Sequence, residues 1–97
     1  PGKGVYACWA EVKGLKRMAA VNIGDRPTFD RGRSVEAFLL DFDGDIYGRE
    51  IKLSFVSRLR ADLRFPSVDA LVAQIGLDVE ETRTVLSRGE QNPLRAH

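Results

Sequence analysis

The order of residues predicts a mainly β domain followed by helix, and three features carry that expectation. Two runs rich in β-branched, aromatic and small residues, 5–12 and 15–22, are separated by Lys13-Gly14. Two further runs, 35–42 and 50–56, flank Asp43-Gly44, a strong hairpin dipeptide. Beyond Phe65 the apolar spacing changes from alternation to the i, i+3, i+4, i+7 pattern of an amphipathic helix.

In the first run Val5, Ala7 and Trp9 alternate with Tyr6, Cys8 and Ala10. Both sets are mostly apolar, so this strand is expected to be covered on both faces, inside a barrel or sandwich. Residues 22–34 then break the pattern with two glycines, a proline and several turn-forming residues, which predicts a working loop of about a dozen residues. The third run places Glu36, Phe38, Leu40 and Phe42 on one face and Val35, Ala37, Leu39 and Asp41 on the other. The fourth puts Ile51, Leu53 and Phe55 on one side.

Val68, Leu71, Val72 and Ile75 form the stripe of a first helix, with Ser67 as N-cap and Gly76 as terminator. Asp78 with Glu81 three residues on resembles a capping box, so a second helix is expected from 78 to about 86 or 88. Residues 89–97 read as a flexible tail, and residues 1–88 as one domain.

With 97 residues, 43% of them hydrophobic and 30% charged, the chain supports one hydrophobic core. No run approaches the roughly 18 to 20 apolar residues of a membrane span, and the N-terminus lacks a signal pattern, so no membrane partner and a cytoplasmic location are expected. Cys8 is the only cysteine, which excludes a disulfide within the chain and makes it a small core residue. A net charge of +1 with the signs interspersed gives no footprint for nucleic acid. Locally, Arg26, Arg31 and Arg33 suit an anion such as phosphate, or simply a solvated loop.

Glu36 is the leading candidate for chemistry. A carboxylate heading a face of Phe38, Leu40 and Phe42 is desolvated unless paired, which favours a proton acceptor; the alternative is that it precedes the buried stretch and points into water. Asn22-Ile23-Gly24 and Arg26-Pro27-Thr28-Phe29 form a second, weaker cluster, with neither a phosphate-loop sequence nor a Gly-x-Gly-x-x-Gly fingerprint. His97 is the only histidine and is terminal, which leaves no Ser-His-Asp triad. Trp9 and the phenylalanines read as core, and Arg58, Arg60 and Arg64 as a basic stretch before the first helix.

Taken in order, Gly4-Val5-Tyr6-Ala7, Val21-Asn22-Ile23-Gly24, Arg26-Pro27-Thr28-Phe29, Val35-Glu36, Leu39-Leu40-Asp41-Phe42-Asp43-Gly44-Asp45-Ile46-Tyr47-Gly48, and Leu59-Arg60 with Phe65 and Gln74-Ile75 resemble the riboflavin kinase domain of bacterial bifunctional riboflavin kinase/FAD synthetases. The resemblance runs from residue 4 to about 86. It implies a six-stranded Greek-key β-barrel with C-terminal helix that moves the γ-phosphate of ATP to the 5′-hydroxyl of riboflavin, giving FMN.

By the same resemblance Glu36 is the catalytic base. Leu39, Asp41 and Tyr47 lie on the nucleotide side, Arg60 and Phe65 against the flavin, and Val68 and Asp69 beside the isoalloxazine pocket. The family holds Mg2+ and the phosphates with a Pro-Thr-Ala-Asn motif upstream of Gly-Val-Tyr-Ala. The metal ligands and the first strand are therefore expected to lie before Pro1, with impaired activity and self-association through exposed strand edges as consequences. An adenylyltransferase module is not expected within these residues. Departures from the family pattern are Phe38, where histidine is frequent, Asp62 and Asp69, where glutamate is favoured, and Leu63, where some members carry lysine. The rival readings are a non-catalytic flavin-binding or regulatory module, and a structural β-barrel that binds no flavin.

Overall fold

The computed structural model describes residues 2–25, 33–42 and 50–91. The expected arginine-bearing loop at 26–32, the Asp43-Gly44 turn, Tyr47 and the terminal His97 lie outside the described residues. Four strands, β1 (Gly4–Val12), β2 (Leu15–Asp25), β3 (Arg33–Leu39) and β4 (Ile51–Arg60), precede one helix, α1 (Val68–Gln91). They form a single antiparallel sheet in the order β3-β2-β1-β4.

The hairpin at Lys13-Gly14 forms as expected. Lys13 (φ 52) and Gly14 (φ 77) both take positive φ, the backbone of a tight turn matched to strand twist, and Val12 faces Leu15 across it. The alternation of β1 then sorts its side chains. Tyr6, Cys8 and Ala10 meet Ala19, Val21 and Ile23 of β2 in a buried cluster, with Leu39, Ile51 and Leu53 packed against it. The rings of Tyr6 and Phe55 meet edge to face on that side, 5.3 Å between centroids. Val5 and Ala7 are equally buried on the opposite side, which α1 covers. A central strand apolar on both faces is thus covered on both.

Several boundaries move. β2 continues to Asp25 and β3 starts at Arg33, which shortens the loop expected from Asn22 to Ser34. β3 stops at Leu39 rather than 42. Asp41 takes φ 54, incompatible with a strand, while the Leu40 N–H is satisfied by the Met18 carbonyl at 2.9 Å. β4 runs on to Arg60, so Arg58 and Arg60 belong to the sheet.

The larger correction concerns helix. Ser67 caps α1 as expected, its Oγ accepting from the Ala70 N–H at 3.1 Å, but Gly76 does not end it. One helix replaces the two expected, and it passes through 89–91, the start of the expected tail. The reason is tertiary: Asp78, Thr82 and Leu86 continue, one turn apart, a buried stripe against the sheet, and that packing outweighs the helix cost of a glycine. No helix among the described residues is long and apolar enough to cross a membrane.

Candidate functional site

One register row crosses all four strands. Glu36 of β3 faces Asn22 of β2, Asn22 faces Val5 of β1, and Val5 faces Arg60 of β4. Paired residues share a face of the sheet, and strands lie about 4.8 Å apart, so Glu36 and Arg60 stand about 14 Å from each other at the two ends of this row. The neighbouring row holds Phe38 and Ala20. Small residues in the floor leave room beneath α1, and a cleft of about 190 Å³ opens between Val5, Ala20, Asn22 and the helix residues Leu71 and Ile75. Glu36 and Phe38 close one end, Arg60 and Asp78 the other.

At the Arg60 end the guanidinium is fixed from several sides. Nε donates to Asp78 Oδ1 at 2.8 Å, Nη2 to Asp78 Oδ2 at 2.7 Å, and Nη1 to the Ala61 carbonyl at 3.0 Å. Gln74 Nε2 adds a third bond to the Asp78 carboxylate at 3.0 Å. Asp78 is 5% exposed. Burial pushes its carboxyl up, but hydrogen bonds from Arg60 and Gln74 and the charge of Arg60 outweigh burial and hold it below the usual carboxylate range. Arg60 also lies 5.7 Å from the centre of the Phe65 ring. The expected flavin residues Arg60 and Phe65 are therefore in contact.

Val68 and Asp69 form the first turn of α1, where Val68 is 74% exposed. Asp78, Gln74, Leu71 and Ile75 were not singled out for this site. The partner of Arg60 is eighteen positions away, and no short motif marks such a pair.

At the other end, of the two readings of Glu36, a desolvated carboxylate or one that points into water, the structure shows the exposed one. Glu36 is exposed and Phe38 is 52% exposed, because α1 packs on β1, β2 and β4 while β3 lies at the outer edge of the sheet formed by the described residues. Ser34 Oγ donates to Glu36 Oε1 at 3.3 Å. Glu36 also forms a rim of a second, charged cleft of about 510 Å³ bearing Lys3, Arg58, Arg64, Asp25 and Asp62.

Two expected nucleotide residues stand apart from Glu36. Leu39 sits one step out of phase with Glu36 on β3 and packs against the Tyr6–Cys8 cluster on the opposite face. Asp41 is bound by Arg83 of α1 at 2.6 and 3.3 Å, and that guanidinium holds its carboxyl below the usual range. Among the described residues no three acidic, histidine or cysteine side chains converge as a metal site.

A family model described as flavokinase, riboflavin kinase, matches residues 1–86. The chain belongs to the riboflavin kinase family. It is 35% identical over 92 residues to a bifunctional riboflavin kinase/FMN adenylyltransferase of Listeria monocytogenes, covering 93% of this chain and 29% of that protein. An RNA-binding riboflavin kinase, RibR, of Bacillus subtilis is 37% identical over 78 residues, 78% of this chain and 34% of that one. A crystal structure described as a macrolide-efflux protein from Streptococcus pneumoniae superposes with a TM-score of 0.78 at 37% identity, over 86% of this chain and 28% of that one. The chain thus spans about a third or less of the proteins it matches.

Proposed function

We propose that the chain supplies the riboflavin-phosphorylating unit of its parent protein, moving the γ-phosphate of ATP to the 5′-hydroxyl of riboflavin. The observation that carries this reading is the single row Glu36, Asn22, Val5, Arg60 across the sheet, which puts a carboxylate at one end of an apolar cleft and an aromatic-backed guanidinium at the other. A flat tricyclic ring joined to a polyol needs that separation. The ring lies toward Arg60 and Phe65, near Val68 and Asp69 at the start of α1, and the sugar chain runs toward Glu36.

In the transfer, Glu36 takes the proton of the 5′-hydroxyl as its oxygen bonds to the γ-phosphorus, and the bond from that phosphorus to the bridging oxygen breaks to release ADP. Positioning carries most of such a reaction. Exposure suits the role, since Glu36 borders both the apolar cleft and the charged one and so stands between two substrates. Leu39, Asp41 and Tyr47 form the nucleotide side around the end of β3, where a nucleotide competes with Arg83 for Asp41. Mg2+ is the family's usual companion of ATP, but the described residues do not fit it as a bound ion, and no step runs through it here.

The four described strands belong, in this reading, to a six-stranded Greek-key barrel over residues 1–88. The substrates are small molecules rather than nucleic acid, the location is cytoplasmic, and copies can pair through β3 and β4, the outer strands among the described residues. A second reading, a flavin-binding module without turnover, uses the same apolar cleft between Glu36 and Arg60.

The test is FMN formation by chromatography from riboflavin and Mg-ATP, beside quenching of riboflavin fluorescence with and without Mg-ADP. FMN production supports the kinase. Saturable quenching by the chain with no FMN even from the parent protein that carries the upstream residues supports the module, and no quenching at all removes both.

A further inference from the structure

Asn22 faces Glu36 across β2 and β3, with their Cβ atoms about 5 Å apart. Its side-chain oxygen, Oδ1, is buried, and among the described residues no donor reaches it. A carbonyl oxygen taken out of water without a partner is costly, and folded proteins leave few such groups. This one borders the apolar cleft and also a small adjoining cleft of about 90 Å³, whose other walls are Gly24, Asp25, Ser34, Glu36 and Asp62. Three of those neighbours are carboxylates, which accept hydrogen bonds and cannot donate them when ionised. Space beside an orphaned acceptor and several carboxylates selects a ligand that brings donors.

We infer that Asn22 is a substrate-contacting residue that reads the polyol chain of the flavin substrate, its Oδ1 accepting a hydrogen bond from a hydroxyl of that chain. This rests on the flavin reading above and deepens it. The ring end, at Arg60 and Phe65, recognises a planar heterocycle, and the Asn22 end recognises the hydroxylated chain attached to it. The register row separates the two functions: Asn22 is the immediate neighbour of Glu36, while Arg60 is two strands away from Asn22. Asn22 also holds a chain hydroxyl within reach of the Glu36 carboxylate, the geometry that transfer to a terminal hydroxyl requires.

The experiment compares two flavins in fluorescence titrations, riboflavin and lumiflavin, which has the same ring but a methyl group in place of the polyol. The wild-type chain should bind riboflavin more tightly than lumiflavin. Asn22→Ala and Asn22→Leu should each weaken riboflavin about tenfold, with lumiflavin unchanged within about twofold. Asn22→Asp, which keeps an acceptor oxygen, should retain part of the preference for riboflavin. Circular dichroism shows whether each variant folds, and Asn22→Leu, close in volume, covers the case in which the alanine variant does not.

Equal loss of both flavins makes Asn22 a structural residue and overturns the inference, as does no change in either. A riboflavin preference that vanishes in EDTA and returns with Mg2+ means the oxygen serves a cation, which also overturns it. If the wild-type chain binds neither flavin, the flavin reading itself falls, an outcome distinct from failure of the Asn22 contact alone.

Discussion

Arg60 and Asp78 form a two-pronged ion pair that ties the last residue of β4 to the middle of α1. The side chains are 17% and 8% exposed. Planar guanidinium and planar carboxylate match two bonds at once, which fixes the orientation of Arg60 over Phe65 as well as the distance between helix and sheet. The pair also neutralises Arg60 at the end of the cleft, so that end favours a neutral ring over a free anion. The surface pairs Lys3–Asp25 and Arg83–Asp41 are far more exposed and contribute little by comparison.

Asp78→Asn should therefore destabilise the fold by about 3 kcal/mol at pH 7, because it leaves the charge of Arg60 uncompensated in a mostly buried place. The folded carboxyl of Asp78 titrates below its unfolded value of about 3.9. Its contribution is accordingly complete above that unfolded value and is lost as pH falls through the folded one. Thermal melts of both proteins should converge as the pH is lowered from 7 to about 3. A gap in melting temperature that stays constant over that range would show that the charge of Asp78 is not what stabilises.

Gly4 and Gly76 should respond to alanine with opposite signs. Gly76 lies inside α1, and a Cβ there would meet nothing within 4 Å. Gly76→Ala should stabilise by about 0.5 to 1 kcal/mol through helix propensity and a less flexible unfolded chain. Gly4 has φ +151, and a Cβ would come within 2.9 Å of both the Arg58 guanidinium and the Arg60 carbonyl. Gly4→Ala should cost about 1 to 3 kcal/mol and disturb the register of β1 with β4 beside Arg60. Chemical denaturation of the two variants checks both signs.

The strands were legible because their signal is local. Period-two alternation and the Lys13-Gly14 turn fix β1 and β2, and the register of the row through Val5 and Asn22 follows from that turn. What the sequence hid depends on partners distant in the chain. Gly76 carries the local mark of a helix end, yet the stripe that keeps α1 going includes Asp78, a charged residue that becomes a buried one only because Arg60 arrives from β4. The stripe was detectable in the spacing of Ile75, Val79, Thr82 and Leu86, which steps by four, three and four. The spacing of Glu36 and Phe38 leaves a desolvated and a water-facing carboxylate both open, because burial depends on which strands α1 covers, and no pattern within β3 encodes its place at the edge of the described strands. Asn22 stood out in the sequence as part of a turn-forming cluster, whereas its orphaned oxygen is visible only once β3 is beside it.

Cys8 should be inert in the folded chain. It is fully buried in the Tyr6–Val21 cluster, its Sγ lies 3.8 Å from the Tyr6 carbonyl, and burial pushes its thiol up to about 11. Since the thiolate is the nucleophile, maleimide labelling at pH 7.5 should wait for unfolding and accelerate with denaturant in step with loss of structure. Complete labelling of the native protein within minutes, followed by mass spectrometry, would mean that β1 opens far more readily than a central strand should.

Glu36→Gln tests the proton acceptor without changing the shape of the cleft. Glutamine keeps the length and one oxygen of the side chain, so contacts that merely position the substrate survive, while the capacity to take a proton does not. In the active parent protein turnover should fall by roughly 100-fold or more, with flavin affinity within a fewfold of the parent. Ser34 also bonds the Glu36 carboxylate, and Ser34→Ala should have a much smaller effect, because that bond is long and exposed. A turnover loss for Glu36→Gln no larger than that for Ser34→Ala would remove Glu36 as the base. An equal loss in flavin affinity would instead make it a binding residue, since an interaction that holds the ground state and the transition state alike changes binding and leaves the chemical step untouched.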